Sequence, residues 1–551
     1  MRILLVEPDY KNKYPPMGLM KISTYHKSKG DYVVFVKGKD KKLAEQIWDR
    51  IYVTTLFTFY YSITVETIRF YKTSVLSTNN IYIGGILASL MPEDIKKDTG
   101  IDNVLVGQLT SSRMIGFNDN VDIDALPLDY DMLEDIDYKY PAGDNYFAYT
   151  TRGCPNKCSF CAVPKLEPEF KTVNHIIKQL TYINENFGEK RNLLLLDNNI
   201  LKAPDLRKIV DDIKEMGFYK GATYTKPNIF PILLRKANEN VEDERYLQRL
   251  IKYLLDYKKM IVYPKSRAEY LLFIESIIES ENPLEAINTK QNEINEWLEK
   301  YKDKRPKLRY VDFNQGIDAR LMTPENMEVL SELPLNPVRI AFDRLSDKDK
   351  YIKAVNIAYK CGIKELSNYI LYNEKDKPTE LWDRLHINIE LNEKLGVHIF
   401  SFPMKYMPIN RKDREYVGKY WCKKYLSAVT AILLVTKGIV AGGSSFFYKA
   451  FGNNYEEYFE ILSMPREFIV YRFKYEELGL TQQWQEAFRQ LTENEKKWLL
   501  DYVGGSVFVT MPEEKLSSGL ENILKFYTRE YELEDKSLHA DSWKQLVKQK
   551  Y

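Results

Sequence analysis

The chain has 551 residues, of which 44% are hydrophobic and 29% charged, and its net charge is +2. This length accommodates several domains with cores of their own, and the composition is that of a globular protein. The near-neutral charge gives no sign of an anionic-membrane partner, although a local patch that binds nucleic acid stays open. The five cysteines do not form a disulfide framework, and no apolar stretch approaches the ~20 residues that span a bilayer. The apolar run after Met1 is typical of a first strand rather than a signal peptide, so we expect a cytoplasmic protein.

Residues 1–125 alternate short apolar runs with helical stretches. Continuous apolar runs separated by helices are typical of a parallel sheet that is covered on both faces. Gly84 and Gly85 close the fourth run, where a ligand or a helix can approach the backbone. The pattern predicts a Rossmann-like, doubly wound sheet with strands at residues 3–6, 32–36, 51–55, 81–85 and 103–107.

Three further segments follow. Residues 126–145 are rich in Asp, Pro and Tyr, which predicts a linker without regular structure. Residues 146–410 again alternate strands and helices, except for a block at about 220–307 in which apolar residues recur at helical spacing. A helical insertion of this length is often a lid or a substrate-binding element, and we expect it to determine the substrate. From residue 411 to 551 the pattern predicts a mostly helical C-terminal domain.

Three of the five cysteines lie close together on one loop. Cys154, Cys158 and Cys161 have the spacing Cys-x3-Cys-x2-Cys, and Phe160 precedes the last of them. Thiolates at this spacing converge on a point and suit zinc or iron–sulfur. A closed structural zinc site has four ligands and so requires a fourth Cys or His, and the nearest histidine is His175. Three thiolates alone leave one position of a four-iron cluster open.

Cys154, Cys158, Phe160 and Cys161 resemble the signature of the radical S-adenosylmethionine (radical SAM) superfamily. Residues 1–125 are similar to the cobalamin-binding-type domain that precedes many of its members. The resemblance implies a partial (β/α)6 barrel over residues 146–410 and a [4Fe-4S] cluster on the three cysteines. It further implies that S-adenosyl-L-methionine (SAM) binds the open iron. A flavodoxin or ferredoxin type of donor would supply one electron, and the resulting 5′-deoxyadenosyl radical would abstract hydrogen from a substrate that the sequence does not identify.

Polar residues that follow the predicted strands are the other candidates for cofactor contacts. The superfamily brings the end of its second strand near the SAM amino group, although Asp and Asn at such a point also form ordinary turns. In the fourth strand an Asp stands where the family usually has Glu, and Arg344 replaces a small residue. The candidates are Asp197, Asn198, Gln315, Asp318, Arg320, Asp343 and Ser346.

Two alternatives stay open. One is a cobalamin-dependent radical SAM methyltransferase. The family's cobalamin-ligating pattern is Asp-x-His-x-x-Gly, whereas residues 7–18 contain no histidine, and His26 is interpreted as structural. Residues 1–125 would otherwise form a degenerate domain that shapes the entrance to the active site. The second alternative is a non-catalytic metal-binding or nucleic-acid-binding module whose three thiolates hold zinc. Metal content discriminates among these hypotheses.

Overall fold

The computed structural model describes residues 1–534, 543, 545 and 546. The last part of the predicted C-terminal domain, residues 535–542, 544 and 547–551, lies outside the described residues. The chain divides into two compact units: unit 1 is Met1–Asn314 with Glu332–Pro334, and unit 2 is Gln315–Ser331 with Leu335–Tyr551. This division falls inside the predicted segment 146–410. No helix among the described residues is long and apolar enough to cross a membrane.

Unit 1 begins with a four-stranded parallel sheet in the order β2-β1-β3-β4. Its two central strands are almost completely buried, because helices cover both faces of the sheet. The strands are β1 (Arg2–Glu7), β2 (Tyr32–Lys37), β3 (Arg50–Thr55) and β4 (Ile81–Gly85), and the helices are α1 (Met17–Lys27), α2 (Lys41–Ala44), α3 (Tyr61–Tyr71), α4 (Ile86–Leu90) and α5 (Pro92–Thr99). The predicted N-terminal parallel sheet is confirmed.

Two details of this sheet differ from the sequence-based expectation. The predicted strand at residues 103–107 is reduced to one bridge between Val104 and Ile83, since its side chains are only half-buried or exposed and gain little from joining the sheet. Gly85 has φ +106°, and a Cβ there would overlap the carbonyl oxygen of Thr55. The glycine is therefore required by the neighbouring strand itself, without any ligand.

The remainder of unit 1 contains a three-stranded parallel sheet, two short antiparallel pairs and a helical block. The parallel sheet has the order β11-β8-β5, and the antiparallel pairs are β6 with β7 and β9 with β10. The strands are β5 (Tyr146–Ala148), β6 (Thr151–Arg152), β7 (Lys171–Thr172), β8 (Leu193–Leu195), β9 (Thr223–Tyr224), β10 (Lys307–Leu308) and β11 (Val311–Phe313). The helices are α6 (Val163–Leu166), α7 (Ile176–Phe187), α8 (Leu206–Glu215), α9 (Phe230–Glu239), α10 (Glu244–Asp256), α11 (Pro264–Ile278), α12 (Pro283–Thr289) and α13 (Gln291–Tyr301).

Helices α9 to α13 form the predicted insertion, which has a hydrophobic core of its own. Leu250 and Leu254 of α10 lie one helical turn apart and pack with Ile274 of α11 and Leu298 of α13, all fully buried. Helix α10 begins after Asp243, whose carboxylate accepts a hydrogen bond from the Arg245 amide at 3.2 Å. The apolar spacing of the sequence thus predicted this block correctly.

Unit 2 consists of a three-stranded parallel sheet followed by helices. The sheet has the order β12-β13-β14, and β13 and β14 pair along their whole length, from Glu365↔His398 to Tyr372↔Lys405. The strands are β12 (Val338–Arg339), β13 (Glu365–Tyr372) and β14 (His398–Lys405). The helices are α14 (Pro324–Leu330), α15 (Lys348–Lys360), α16 (Pro378–Leu395), α17 (Lys423–Leu434), α18 (Ser444–Phe451), α19 (Tyr455–Ser463), α20 (Arg466–Val470), α21 (Arg472–Glu477), α22 (Leu480–Gln490), α23 (Glu493–Val503) and α24 (Ser518–Lys525).

The fold class is therefore mixed α/β, with parallel sheets and many helices. The six strands predicted for residues 146–410 appear as two three-stranded parallel sheets, one in each unit. The C-terminal part of unit 2 is mostly helical, as expected. Its core contains large aromatic side chains on several helices, including Phe447, Tyr458, Tyr475 and Trp484.

Candidate functional site

The three clustered cysteines lie on the loop between β6 and α6. Each is half-buried, and none forms a disulfide. The Cys161 amide donates a hydrogen bond to the Cys158 carbonyl at 3.1 Å, which turns the backbone between the second and third thiols. Across the described part of the chain, no group of three or more His, Cys, Asp or Glu side chains is arranged to hold a metal ion. By donor chemistry the loop fits an iron–sulfur cluster, because three cysteine thiols on one loop are the ligand type that such clusters use.

Backbone contacts hold together the two ends of this loop, which we call its root. Strands β6 and β7 pair through Thr151↔Thr172 and Arg152↔Lys171, so the chain returns beside its own starting point. Gly153 follows β6 with φ +74°, and a Cβ there would overlap the carbonyl oxygen of Glu169. Only glycine fits this crossing, where two stretches of backbone approach each other closely.

Asp197 fixes the strand that leads into the loop. Its carboxylate oxygen Oδ1 accepts hydrogen bonds from the amide and the hydroxyl of Thr150, at 2.9 and 2.8 Å, and from the amide and the hydroxyl of Thr151. The side chain is 1% exposed, and burial raises its pKa against the effect of these hydrogen bonds. Within the described residues Oδ2 is buried without a hydrogen-bond partner. Asp197 therefore acts on the loop through its Oδ1 atom.

Asn198 reaches the loop through Glu167. Its Nδ2 donates to Glu167 Oε2 at 3.0 Å, and the same oxygen accepts the amide of Gly153 at 2.7 Å. The other oxygen of Glu167 pairs with Arg152 at 2.8 Å. One carboxylate thus joins both ends of the cysteine loop to the end of β8.

A buried chain of charges extends from Arg152 to helix α1. The guanidinium of Arg152 donates to both oxygens of Asp124, at 2.9 and 2.5 Å, and lies 3.6 Å from the ring centre of Tyr149. Lys21 of α1 pairs with the same Asp124 at 2.8 Å. Burial alone would raise the pKa of Asp124, but Lys21 and Arg152 outweigh it and hold that pKa well below its usual range. The network ties α1 and the segment just before the linker to the root of the loop.

Several of these positioning residues were not among the site residues predicted from the sequence. Asp124 occurs in a segment whose Asp and Pro residues read as turns, and Glu167 lies outside the cysteine motif. Asn199, the neighbour of two candidate residues, donates from Nδ2 to the sulfur of Cys154 at 3.6 Å. No spacing rule indicates such contacts, because they join positions as many as 103 residues apart, as in the pair of Lys21 with Asp124.

The other candidate residues belong to unit 2. Asp318 accepts hydrogen bonds from the amide and guanidinium of Arg320, with Oδ1 to Nε at 2.7 Å and Oδ2 to Nη2 at 2.7 Å. The Arg320 side chain is 41% exposed, and Gln315 is exposed. Ile317, between Gln315 and Asp318, forms a bridge with Ile340 just after β12. The segment therefore follows the edge of the β12-β13-β14 sheet.

Asp343 and Ser346 follow β12. Burial raises the pKa of Asp343 to about 6, although Arg384, Arg320 and Arg344 oppose the effect. Arg384 is fully buried and donates to the backbone carbonyl of Asp343 at 2.6 Å. Ser346 is exposed on a short 3-10 turn. Asp343 is thus the carboxylate among these candidates whose protonation changes near neutral pH.

We expect Asp343→Asn to change how the stability of the metal-free protein depends on pH. The native carboxyl binds its proton more tightly than the unfolded one, so this group lowers the free energy of unfolding as the pH rises from about 4 to about 6. Asn does not titrate. The free energy of unfolding of the variant relative to the wild type should therefore grow by about 2 kcal/mol between pH 4 and pH 7. Urea unfolding at a series of pH values measures it, and a difference that stays constant would contradict the expectation.

The carboxyl end of β1 is filled by side chains of the protein. Glu7 pairs with Lys37 at 2.9 Å, accepts a hydrogen bond from Asn12 at 2.9 Å and another from the hydroxyl of Tyr140. His26 is fully buried elsewhere, between Asp31 at 2.6 Å and the hydroxyl of Tyr52 at 3.0 Å. The loop after β1 thus offers no imidazole that could ligate cobalt.

The insertion borders a cleft of unit 1, which has a volume of about 1270 Å³ and lies between β2 and α10. The outward-facing backbone of edge strand β2 is capped there by side chains. Asp135 accepts the Phe35 amide at 3.1 Å, and Arg245 of α10 donates to the Val33 carbonyl at 2.8 Å. These contacts satisfy part of the strand edge and keep it from pairing with another strand.

Comparison with known proteins gives limited similarity. No protein-family model matches the chain, and no curated protein matches it. One similar solved structure is the radical S-adenosylmethionine methyltransferase TsrM from Kitasatospora setae with cobalamin and a [4Fe-4S] cluster bound. It is 11% identical, with a TM-score of 0.43 over 74% of this chain and 76% of that one. Another is the apo form of the cobalamin-dependent S-adenosylmethionine radical enzyme OxsB, 12% identical, with a TM-score of 0.41 over 96% of this chain and 78% of that one. Both carry the superfamily name that the cysteine motif predicts, but a similarity this low does not assign a function to the present chain.

Proposed function

We propose that this protein is a radical SAM enzyme whose Cys154, Cys158 and Cys161 hold a [4Fe-4S] cluster. The observation that supports the proposal most is the set of three half-buried cysteine thiols, none of them in a disulfide, on a loop whose root is closed by the β6–β7 pair. A bound cluster, once reduced by an external donor, would pass one electron to SAM, and the cleavage would give methionine and a 5′-deoxyadenosyl radical that abstracts hydrogen from the substrate. Three cysteines leave one iron without a thiolate, and that position would take the amino and carboxylate groups of SAM.

The residues of the chain have distinct tasks in this proposal. Asp197 and Glu167 position the loop, Asp197 through the Thr150–Thr151 backbone and Glu167 through the Gly153 amide. We propose that Asn198 contacts SAM close to the loop.

Residues of unit 2 would contact SAM or the substrate. They combine exposed polar groups with a partly exposed guanidinium and a half-buried carboxyl, which suits the recognition of a charged, polar cofactor. They are Gln315, Asp318, Arg320, Asp343 and Ser346. A flavodoxin or ferredoxin type of protein would deliver the electron, in the cytoplasm.

Anaerobic reconstitution tests the proposal. We expect about four irons and four sulfides per chain, and release of 5′-deoxyadenosine from SAM after reduction. Cys158→Ala should lose the cluster and the cleavage, whereas Cys361→Ala, which removes a single thiol outside the loop, should retain both.

The metal content also separates the alternatives. Stoichiometric cobalt or a cobalamin spectrum would favour the cobalamin-dependent methyltransferase. Zinc without SAM cleavage would contradict the catalytic proposal and favour a metal-binding or nucleic-acid-binding module.

A further inference from the structure

Asn199 is a buried amide with an unusual hydrogen-bond partner. It follows β8, is 2% exposed, and donates from Nδ2 to the sulfur of Cys154 at 3.6 Å. In the part of the chain that the structure describes, its Oδ1 is buried without a hydrogen-bond partner. The side chain makes no capping hydrogen bond to the 3-10 turn at Ile200–Lys202 that begins after it. The local turn therefore does not require an amide at this position.

The hydrogen bond of this side chain would be stronger if the sulfur ligated iron. Burying an amide without adequate partners costs about 1–3 kcal/mol. A neutral thiol is a weak acceptor, but hydrogen bonds to an ionised acceptor are roughly twice as strong. A thiolate that ligates iron is the acceptor that makes this burial favourable.

We propose that Asn199 raises the reduction potential of the iron–sulfur cluster through its hydrogen bond to Cys154, an inference that rests on the proposed function. Reduction adds one electron to the cluster and moves no proton. The added negative charge strengthens the N–H···S bond, so the bond stabilises the reduced state more than the oxidised state. Asn199 is thus a positioning and tuning residue, which acts through Cys154.

Removal of the donor should shift the potential downward. We expect Asn199→Leu, which keeps a similar volume without an N–H group, to make one-electron reduction about tenfold less favourable, a shift of about 59 mV to more negative potential. Asn199→Ser, which keeps a hydroxyl donor on a shorter side chain, should fall between Asn199→Leu and the wild type.

The experiment is an EPR-monitored redox titration of the reconstituted full-length protein without SAM. The matched control is Asn198→Leu, since Asn198 is the adjacent amide but donates to Glu167 and not to sulfur. Iron and sulfide content, measured on every variant, confirms that the titrated species is the same cluster. If Asn199→Leu does not retain the cluster, Asn199→Ala takes its place in the titration.

The outcomes separate this inference from the proposed function. A negative shift in Asn199→Leu that exceeds any shift in Asn198→Leu supports it. Equal potentials in the wild type and the donor-free variant, with intact clusters in both, overturn the tuning role and leave the proposed function standing. Absence of an iron–sulfur cluster from the reconstituted wild type overturns both.

Discussion

Asp197→Ala is expected to destabilise the region around the cysteine loop by about 4 kcal/mol. The Asp197 carboxylate accepts two backbone amides and two hydroxyls, and all of these groups are buried. The Ala variant leaves four donors without their acceptor in a site that Ala does not fill. Hydrogen–deuterium exchange of peptides covering residues 146–200 in the metal-free protein measures the local loss.

Two control variants define the cause of this effect. Asp197→Asn keeps an acceptor oxygen for Thr150 and Thr151, so we expect it to lose less than half as much stability. Asp211→Ala, on the exposed face of α8, removes a carboxylate that contacts Arg207 at 3.6 Å and should cost at most about 0.5 kcal/mol. Protection that is unchanged in Asp197→Ala would show that the loop root does not depend on this carboxylate.

Arg384→Met should have an effect of similar size in unit 2. Arg384 is fully buried on α16 and donates to the carbonyls of Asp343 at 2.6 Å and Leu371 at 2.7 Å, near the ends of β12 and β13. It also pairs with Asp376 at 3.1 Å. Met has comparable length but no donors, so the two carbonyls and the carboxylate of Asp376 lose their buried guanidinium partner. We expect a loss of about 4 kcal/mol in the free energy of unfolding.

The measurement for Arg384→Met is exchange of peptides from β12, β13 and α16, with Arg411→Met as the control. Arg411 pairs with Asp413 at the surface, with both side chains more than 40% exposed, and its loss should cost less than about 1 kcal/mol. Equal protection in the two variants would contradict the view that Arg384 holds the strand ends together.

The sequence allowed prediction of the elements whose burial leaves a periodic pattern. The apolar run at β8 and the helical spacing at α10 and α11 are of this kind, since each can be read within one window of residues. The cysteine loop was recognised from the spacing of its thiols. The run at 103–107 failed because apolar character there is not accompanied by burial.

The contacts that position the loop could not be predicted in the same way. Asp124, Glu167 and Asn199 are polar residues in irregular segments, and their partners are set by tertiary packing. Asp197 was identified from its place after a strand, but the structure shows its Oδ1 atom directed at Thr150 and Thr151. Strand ends can therefore be located from sequence, whereas the atoms that their polar side chains contact require the packed structure.

The closed root of the cysteine loop has a consequence for how the protein matures. Gly153, Glu167 and the β6–β7 pair fix both ends of the loop through protein atoms alone, so folding of this region does not have to wait for iron. The separations between the thiols along the chain are short, so little further chain entropy is lost when metal is added. The three cysteines are half-buried, so each remains partly exposed to a protein that delivers iron. If the loop holds the proposed cluster, we therefore expect the polypeptide to fold first and to receive the cluster in a late and separate step.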